Sequence, residues 1–373
     1  MRSVFVLNTG SSSIKYRVVD PVDGRMLAGD MLDRIGEPGS PTADHTQALA
    51  EILQRLHGTR IDAVGHRIVH GGSLFTEPVL IDDEVERGIE SLVPLAPLHN
   101  PPGLLGIRAA RAALPDIPQV AVFDTAFHST LSAEAFSYAI DREVAERHGI
   151  RRFGFHGTSY RYVSARAAEH LGRPLAELRL IVLHLGNGAS ATAIRGGRSI
   201  DTSMGMTPLE GLVMGTRSGD IDPAILPYLH REAGSSFDEL DDLFNRRSGL
   251  LGMSGTSDMR ETVAAAEAGS AAAKLALDVY THRLRHYIGA YAAQLGGVDA
   301  VVFTGGVGEN SSLIRGRTLD RLGFLGIDLD PAANEAPSSR PRTISHDHSE
   351  VAVLVIPTDE ELEIARQTAA LLD

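Results

Sequence analysis

Short apolar runs alternate along the chain with segments whose apolar residues recur at helical spacing. In Leu49–Leu56 and Val85–Val93 the apolar positions predict amphipathic helices. A longer, alanine-rich helix is predicted at Ser270–Leu295, before the stop signal of two glycines. The apolar runs between such segments predict strands at Val4–Leu7, Ile14–Val19, Ala63–Val69, Val120–Phe123, Ile181–Leu185, Ala300–Phe303 and Val351–Ile356. This alternation is typical of an α/β protein.

A weak internal echo relates the two halves of the chain. Val6–Gly10 and Val182–Gly186 each end an apolar strand in a small polar turn. Each turn leads into a second apolar strand, Ile14–Val19 in one case and Ala191–Ile194 in the other. Coincidence between two unrelated hairpins and duplication of a domain both account for this pattern, and the sequence leaves the two open.

Length and charge restrict the classes to which the protein can belong. The 373 residues carry 35 Lys+Arg against 48 Asp+Glu, a formal charge of −13. A nucleic-acid-binding protein would present a basic surface, so we expect no nucleic-acid partner. At roughly 100–200 residues per domain, the length predicts two domains.

The chain contains no cysteine, which excludes disulfides, thiolate metal sites and cysteine nucleophiles. Missing disulfides fit a reducing cytosol. Val4–Leu7 is shorter than the roughly 7–15 apolar residues of a signal peptide. No run approaches the ~18 apolar residues of a membrane span. We therefore expect a cytoplasmic protein without a membrane partner.

The turn Asn8–Lys15 has the chemistry of a phosphate loop. Its small residues let backbone N–H groups approach an anion, and Ser11, Ser12 and Ser13 add hydroxyl donors. Lys15 adds a positive charge, and it is one of two lysines in a chain with 33 arginines. The P-loop pattern G-x-x-x-x-G-K-[ST] is absent. An ordinary hairpin turn also explains the glycine and the serines.

Two further glycine-rich turns follow predicted strands. His184–Ser190 comes after one strand, and Thr304–Asn310 comes after another and opens a helical segment. A glycine turn at a helix N-terminus offers unpaired N–H groups to a phosphate. Because α/β sheets bind ligands at the C-terminal ends of their strands, three such turns favour a nucleotide site.

Several side chains with catalytic chemistry stand at strand ends or in glycine-bounded loops, namely Arg67, Asp124, His156, Arg217 and Glu360. His156 directly precedes a predicted helix, for which Ser159 is the candidate N-cap. Two arginines, a histidine and separated carboxylates suit phosphoryl transfer, which depends on positioning and charge stabilisation.

For other charged residues a structural role is the simpler interpretation. Helix capping or solvation is expected for Asp220, Asp222, Asp359 and Glu361. Hydrogen-bonded structural histidines are expected at His66, His70 and His128. Neither H-E-x-x-H nor a cluster of histidine ligands occurs, so no zinc site is expected.

A series of motifs along the whole chain resembles the acetate kinase family, within the acetate and sugar kinase/Hsp70/actin superfamily. The motifs are NTGSSSIKY, GHRIVHGG, PLHNPP, VFDTAFH, RRFGFHGTS, HLGNGAS, DTSMGMTPLEGLVMGTRSGDIDP, TSDMR, FTGGVGEN and IPTDEEL. The resemblance implies a duplicated ribonuclease H-like, actin-like ATPase fold in a homodimer. Its two domains, 1–128 with 361–373 and 129–360, would close over ATP, Mg²⁺ and a small carboxylate.

The resemblance also implies roles for individual residues. Magnesium, or Mn²⁺ in its place, would be bound by Asn8 and Glu360. The nucleotide (ATP or ADP) would be bound by Ser11, Ser12, Ser13, Lys15, His184, Leu185, Gly186, Asn187, Gly188, Asp258, Met259, Arg260, Gly306, Val307, Gly308, Glu309 and Asn310. The family often has asparagine where this chain has Asp359, which changes the charge beside Glu360.

The resemblance likewise implies which residues bind the substrate carboxylate and which take part in catalysis. Arg67 matches the arginine that binds the carboxylate, and the apolar acetate pocket matches Val69, Leu98, Phe155 and Pro208. Asp124 matches the catalytic aspartate, and His156 and Arg217 match the residues that stabilise the transition state.

The reaction that this resemblance implies is acetate + ATP ⇌ acetyl phosphate + ADP, by direct in-line transfer. A carboxylate with a pKa near ~4 has no proton to lose at neutral pH. Asp124 is therefore expected to orient groups rather than to act as a base. Propionate kinase of the same family is the alternative, because one methylene changes binding by only ~1–3 kcal/mol. A non-catalytic nucleotide-binding protein, like actin or Hsp70, is a more distant one.

Overall fold

The computed structural model describes residues 3–10, 12–36, 40 and 42–373. The chain divides into two compact units. The first unit comprises Met1–Ser129, Phe155–Tyr162 and Asp359–Asp373. The second unit comprises Thr130–Gly154 and Val163–Thr358. The domain boundaries inferred from the sequence remain a prediction.

The first unit contains a mixed six-stranded sheet. Its strands are β1 (Val4–Thr9), β2 (Ile14–Val19), β3 (Met26–Leu32), β4 (Ala63–Ile68), β5 (Val79–Leu80) and β6 (Gln119–Phe123). Its helices are α1 (His45–Arg55), α2 (Asp83–Ser91), α3 (Asn100–Ala113) and α15 (Glu360–Leu372), with 3₁₀ turns at Val93–Leu95 and Ala126–Thr130.

The second unit contains another mixed six-stranded sheet. Its strands are β7 (Arg179–Leu185), β8 (Ala189–Arg195), β9 (Arg198–Thr202), β10 (Ala300–Thr304), β11 (Arg342–Thr343) and β12 (Ala352–Val355). Its helices are α4 (Ala133–Phe136), α5 (Arg142–His148), α7 (Ile225–Ala233), α8 (Phe237–Arg246), α9 (Gly249–Ser254), α10 (Met259–Glu267), α11 (Ala271–Leu295), α12 (Gly305–Asn310), α13 (Ser312–Leu319) and α14 (Pro331–Glu335). The helix α6 (Gly157–Leu171) begins in the first unit and continues into the second from Val163. Short 3₁₀ turns lie at Leu175–Glu177 and Gly323–Leu325.

The two sheets have the same topology. The strand order is β3-β2-β1-β4-β6-β5 in the first and, read in the matching direction, β9-β8-β7-β10-β12-β11 in the second. In each sheet the first three strands pair antiparallel, the next two continue in parallel, and the last is antiparallel. Two unrelated hairpins would not share six strands in one order. The internal echo therefore reflects a duplicated unit, as the predicted fold class requires.

The strand β1 shows how the core of the first unit positions a functional residue. Val6 shares an apolar cluster with Ile364 of α15, and Phe5 shares a different cluster with Ile52 of α1. Successive side chains of a strand point to opposite faces, so β1 is buried on both. Each such side chain contributes roughly 1.5–3 kcal/mol when fully buried. This anchoring fixes Asn8, which stands near the end of β1.

The elements predicted from strong apolar patterns are confirmed to within a few residues. The long helix α11 has Ser270 as its N-cap and ends at Gly296 in a left-handed conformation. The edge strand β3 was missed, because most of its side chains are exposed and carry no apolar alternation. The N-cap prediction for Ser159 is wrong, since α6 begins at Gly157 and includes Ser159.

No helix among the described residues is both long enough and apolar enough to cross a bilayer.

Candidate functional site

An arginine–aspartate pair stands where two parallel strands of the first unit end. Arg67 lies on β4, and Asp124 follows the neighbouring β6. The guanidinium Nη2 lies 2.6 Å from Oδ2 of Asp124, and Nε lies 3.1 Å from Oδ1. The Asp124 side chain is 1% exposed and that of Arg67 18%. This is a bidentate, mostly buried ion pair, the geometry in which arginine binds a carboxylate most strongly.

The backbone around Asp124 is locked to the start of α6. The amide of Asp124 donates to the carbonyl of Ile68 (2.9 Å), and its own carbonyl accepts from the amide of Gly157 (2.9 Å). A Cβ at Gly157 would lie 2.2 Å from that carbonyl oxygen, so the position requires glycine. The hydroxyl of Thr158 donates to Oδ1 of Asp124 at 3.1 Å. Both carboxylate oxygens of Asp124 thus accept hydrogen bonds from fixed donors.

His156 is held in a strained conformation beside this lock. Its φ is 58°, in the left-handed region that a residue with a side chain adopts at a cost on the order of 1–3 kcal/mol. Its carbonyl accepts the amide of Tyr160 (3.0 Å), and Gly157 follows it directly into α6. Strain of this kind persists only where the surrounding structure imposes it, and it is common at functional sites.

Further oxygen atoms surround the guanidinium of Arg67. Oδ1 of Asn8 lies 3.4 Å and Oε2 of Glu360 3.9 Å from Nη1. Burial acts to lower the pKa of Arg67, but the charges of Asp124 and then Glu360 outweigh it and raise this pKa above its usual value. Burial also raises the pKa of Glu360, and repulsion from Asp124 adds to this, although Arg67 opposes it. The cluster is therefore rich in negative charge relative to its one cation.

The same cluster has the donor chemistry of a magnesium site. Asn8, Asp124 and Glu360 all present hard oxygen atoms towards Arg67. Among the described residues no three His, Cys, Asp or Glu side chains form a complete cation site. Mg²⁺ is usually held by one or two carboxylates, with water and substrate phosphates completing its shell. The predicted ligands Asn8 and Glu360 fit that mode of binding, which Mn²⁺ shares.

Lys15 takes part in a separate ion pair. It stands opposite Asn8 in the β1–β2 ladder, and its ammonium contacts the carboxylate of Glu361. Arg17 lies 3.3 Å from Asp359 and 3.7 Å from Glu361. Burial raises the pKa of Glu361, but Lys15 outweighs this and keeps it below the usual value. The expectation that Glu361 is a solvated or capping residue is wrong, whereas Asp359 does cap α15.

In the second unit, the loop between β9 and α7 carries a different arginine. Nη1 of Arg217 donates to the carbonyl of Pro208 (3.1 Å) and contacts Sδ of Met214 (3.7 Å). Arg217 makes no ion pair with any residue that the structure describes. Burial lowers its pKa, yet an arginine stays charged at neutral pH. A half-buried cation without a carboxylate is suited to receive an anion.

A carboxylate and a tyrosine hold this loop in place. Oδ1 of Asp220 accepts the amide of Gly211 (2.8 Å), and Oδ2 accepts the hydroxyl of Tyr287 in α11 (2.8 Å). Asp220 is thus a structural brace rather than the helix cap or solvated charge that the sequence suggested. Asp222 does match that expectation as a solvated charge, since it is exposed, and its side chain accepts the amide of Ala224 (2.9 Å).

A cavity of about 690 Å³ opens beside this loop, within the second unit. Glycine backbone forms part of its wall, and a Cβ at Gly306 would meet no atom within 4 Å. The amide of Gly215 donates to the carbonyl of Asn187 (2.9 Å), which links the Arg217 loop to the cavity. The predicted nucleotide residues that line it are Gly186, Asn187, Asp258, Met259, Arg260, Gly306, Val307 and Asn310.

The other predicted nucleotide residues lie elsewhere. His184 and Leu185 belong to β7 and Gly308 to α12, whereas Glu309 lines a different cavity; Gly188 is not in the wall of this one. Ser12, Ser13 and Lys15 belong to the first unit, where the carbonyl of Ser13 accepts the amide of Gly10 (2.7 Å). Ser11 lies outside the described residues.

The cavity also has lining residues that the sequence did not reveal, namely Gly215, Leu250, Ser257, Val263, Tyr280 and Ser311. Val263 lies one helical turn after Met259 in α10, a spacing that could have identified it. Tyr280 is 2% exposed within α11. In the sequence it has the pattern of any core residue of a long helix, so no signal distinguished it.

The residues predicted for the apolar pocket belong to different units, and each is described within its own unit. Phe155 is buried in the first unit and meets the ring of His70 edge-to-face at 5.4 Å. Val69 is half-buried, and Leu98 is 46% exposed in a turn. Pro208 belongs to the second unit, where its carbonyl accepts from Arg217. Leu98 is thus not part of any packed core in the first unit.

The histidines expected to be structural are hydrogen-bonded. Nε2 of His66 lies 2.8 Å from the side-chain oxygen of Gln119, and burial lowers the pKa of His66 to about 4. Nδ1 of His70 accepts the amide of Gly72 (2.9 Å). Nε2 of His128 lies 2.9 Å from the carbonyl of Phe155.

Comparison with known proteins gives full-length matches. The model of the Acetokinase family matches residues 3–366. An acetate kinase of Clavibacter michiganensis subsp. michiganensis is 58% identical over 99% of each chain. The structure of Porphyromonas gingivalis acetate kinase matches with a TM-score of 0.95 at 44% identity, over 100% of both chains. A propionate kinase of Francisella tularensis matches with a TM-score of 0.94 at 40% identity, over 99% of this chain and 100% of that one. These matches confirm the predicted fold class.

Proposed function

The chain belongs to the acetokinase family, and we propose that it catalyses acetate + ATP ⇌ acetyl phosphate + ADP. The observation that carries this proposal is the guanidinium fork of Arg67, held among the oxygen atoms of Asn8, Asp124 and Glu360 at the end of the parallel strands. An arginine fork matches the carboxylate of a small acid, and hard oxygen donors match the cation that accompanies a nucleotide.

We assign Asp124 an orienting role. The nucleophile is a carboxylate that is already ionised at neutral pH, so transfer needs no base. Both oxygens of Asp124 accept hydrogen bonds, from Arg67 and from Thr158, which supports a fixed carboxylate that aligns its neighbours. The fork of Arg67 holds Asp124 here, so binding of acetate to Arg67 requires the substrate to share or replace those contacts.

Stabilisation of the transition state is assigned to His156 and Arg217. In phosphoryl transfer, charge spreads over the equatorial oxygens, and donors aimed at them lower the barrier. Arg217 can donate to such an oxygen, because its guanidinium has no ion pair within the described part of the chain, and the strained backbone of His156 supports a position imposed for function. Losing one such donor typically costs about 2.7–4 kcal/mol of transition-state stabilisation.

The nucleotide is assigned to the cavity of the second unit. Gly186 and Gly306 leave bare backbone along its wall, where phosphate or ribose oxygens can approach N–H groups closely. Asn8 and Glu360 would hold Mg²⁺ or Mn²⁺, which supplies charge neutralisation for the phosphates when bound. Ser12, Ser13 and Lys15 remain proposed phosphate contacts.

A hydroxylamine trap tests the proposed reaction. Acetyl phosphate reacts with hydroxylamine to give a hydroxamate, so the purified protein with acetate and MgATP should produce it in a time-dependent way. Omission of acetate is the first control, and the Arg217→Gln variant is the second. The absence of hydroxamate from the unmodified protein would contradict the proposal and favour a non-catalytic nucleotide-binding protein.

Propionate is the second candidate substrate, because the Francisella tularensis propionate kinase is so similar in structure. A pocket that differs by one methylene separates the two acids by only ~1–3 kcal/mol. Comparing kcat/KM for acetate, propionate and butyrate under one set of conditions decides the matter. A larger kcat/KM for propionate than for acetate would replace the proposed substrate.

We also propose a cytoplasmic homodimer, made of subunits with domains 1–128 plus 361–373 and 129–360. The lack of cysteine supports a reducing compartment, and family membership supports the dimer. Light scattering of the purified chain during size-exclusion chromatography tests the assembly. A mass near the 39.8 kDa of one chain at micromolar concentration would contradict it.

A further inference from the structure

A second cavity of the second unit, of about 740 Å³, collects arginines that have no assigned role. It is lined by Arg315, Arg340 and Arg342, together with the carboxylates of Glu309 and Glu335. Three cations against two carboxylates leave it positive in a chain whose formal charge is −13. None of these three arginines makes an ion pair with any residue that the structure describes.

Arg315 is a buried cation satisfied only by neutral oxygens. It is 2% exposed, and Nη1 donates to the carbonyls of Gly308 and Glu309 (2.9 Å each). Nε and Nη2 donate to the side chain and the carbonyl of Asn334 (2.8 and 2.6 Å). Four of the five N–H donors of its guanidinium are thereby used, and one has no partner among the described residues. Burial, with the charge of Arg342 in addition, lowers the pKa of Arg315 to about 10.

Arg342 and Arg340 complete the cationic wall. Nη1 of Arg342 donates to the carbonyl of Ser338 (3.1 Å), while its Nε is buried without a hydrogen-bond partner in the part of the chain described. A buried donor without a hydrogen bond costs free energy, so an acceptor at this point would be bound favourably. The carboxylate of Glu309 does not supply it: Oε1 accepts the amides of Gly305 (2.9 Å) and Thr358 (3.1 Å), and no hydrogen bond joins Glu309 to Nε of Arg342 among the described residues. Arg340 is exposed at the rim.

We propose that this cavity binds a small phosphate-type anion, either free phosphate or the phosphate group of a small ester. Planar guanidinium groups bind phosphate oxygens in pairs, and the unpaired Nε of Arg342 lies among the cations that would share the charge. Ser312 and Ser339 line the same cavity, and their hydroxyls add neutral donors, whereas the hydroxyl of Ser338 donates to the carbonyl of Arg340 (3.2 Å). These groups resemble a phosphate site more than a solvated arginine cluster.

The anion site shares a structural element with the nucleotide cavity. Asn310 lines both cavities, and Arg315 holds the carbonyls of Gly308 and Glu309 in α12, the helix whose Gly306 and Val307 line the nucleotide cavity. An anion that draws on Arg315 and Arg342 therefore acts on α12. Phosphate binding should change nucleotide affinity, and by linkage nucleotide should change phosphate affinity equally. This coupling, unlike the anion site itself, rests on the proposed nucleotide function.

Calorimetric titration of inorganic phosphate into the full chain tests the site. The solution contains saturating ATP and EDTA, so that the nucleotide cavity is filled and no transfer occurs. We expect saturable binding that weakens at least tenfold in Arg342→Gln and at least threefold in Arg340→Gln. Arg231→Gln, which removes an exposed arginine of α7 that does not line the cavity, should bind like the unmodified protein.

Equal phosphate affinity in the unmodified protein and in both cavity variants overturns the proposal. Arg340→Gln keeps this decision available if Arg342→Gln fails to fold, because Arg340 is exposed. A parallel titration with glycerol 3-phosphate separates the two sources: tighter binding of the ester than of free phosphate assigns the site to an esterified ligand.

A second titration tests the coupling. The Kd of ATP is measured with and without saturating phosphate, and we expect a change of at least threefold that disappears in Arg340→Gln. A phosphate effect that persists in that variant, or no effect in the unmodified protein, overturns the coupling. The hydroxylamine trap run on Arg340→Gln without phosphate should give unmodified activity, so a failure of the anion site is distinguishable from a failure of the proposed reaction.

Discussion

Arg67 in the first unit and Arg217 in the second have opposite electrostatic surroundings, although both are proposed to contact anionic groups of the reaction. The guanidinium of Arg67 forms an ion pair with Asp124, and Oε2 of Glu360 lies 3.9 Å from Nη1 of Arg67. Arg217 has a carbonyl and a sulfur atom as its side-chain contacts. An ion-paired cation stabilises the fold and the site together, whereas an unpaired one costs stability and is retained for its ligand. Removing each arginine should therefore affect different measurements.

The largest effect is expected from Arg67→Met. Removing one partner of a buried ion pair leaves Asp124 uncompensated, and such changes typically destabilise a protein by about 3–5 kcal/mol. The variant should also lose acetate-dependent turnover. Urea unfolding gives the free energy of unfolding, and the hydroxamate assay gives the turnover. The double variant Arg67→Met/Asp124→Leu, which replaces both charges, should regain much of the stability and none of the activity.

An Arg67→Met variant as stable as the unmodified protein would contradict the proposed difference between Arg67 and Arg217. Arg67 would then resemble Arg217 in making no net contribution to folding. Recovery of activity in the double variant would instead remove both residues from the proposed chemistry.

The second effect is that of Arg217→Ala, which should be visible in turnover alone. We expect kcat to fall by about 10²–10³-fold, the usual consequence of losing one donor to a transition-state oxygen. The free energy of unfolding should stay constant or rise slightly, because a half-buried, unpaired cation is removed. Thermal unfolding and steady-state kinetics on one preparation provide both numbers. Near-normal turnover would exclude Arg217 from transition-state stabilisation.

The strand–helix order and most of the first unit's site were predictable from the sequence. Arg67 and Asp124 were each predicted at the end of a strand, and parallel strands end at one edge of a sheet. The pairing itself was not predictable, since it depends on the register of β4 against β6. The brace at Asp220 was missed for a related reason, because its partner Tyr287 lies 67 positions away in the chain.

The nucleotide cavity shows the same limit. Its glycine turns could be predicted from their composition. Tyr280 and Leu250, in contrast, line the cavity because of how α11 and α9 pack. The cationic cavity could not be predicted from the sequence for another reason. In a chain with 33 arginines, nothing in the sequence distinguishes Arg315, which has no ion pair with the residues that the structure describes, from arginines that have one.

A third effect concerns the pH dependence of stability and arises from His66, a buried neutral side chain next to Arg67 in the sequence. Burial lowers the pKa of His66 to about 4, whereas the unfolded chain protonates near 6.5. Between these values the unfolded state binds more protons, so stability falls as the pH is lowered from 7 towards 4. The loss from this group should approach about 2–3 kcal/mol. Urea unfolding from pH 7 to 4.5 measures it, with His66→Gln as the control that lacks this contribution. Identical slopes in the two proteins would contradict the shift.

The smallest effect is expected from Lys15→Arg. This variant decides whether Lys15 contacts a phosphate or serves only the fold. An arginine can still pair with Glu361, and the lysine is 45% exposed, so stability should change by less than about 1 kcal/mol. A compact ammonium at a phosphate contact is poorly replaced by a planar fork, so we expect the Kd of ATP to rise at least threefold. Equilibrium titration with MgATP measures it, and Lys274→Arg, the other lysine of the chain, is the matched control. An unchanged ATP affinity would place Lys15 with the cations that serve the fold. Its pairing with Glu361 would then be its whole role.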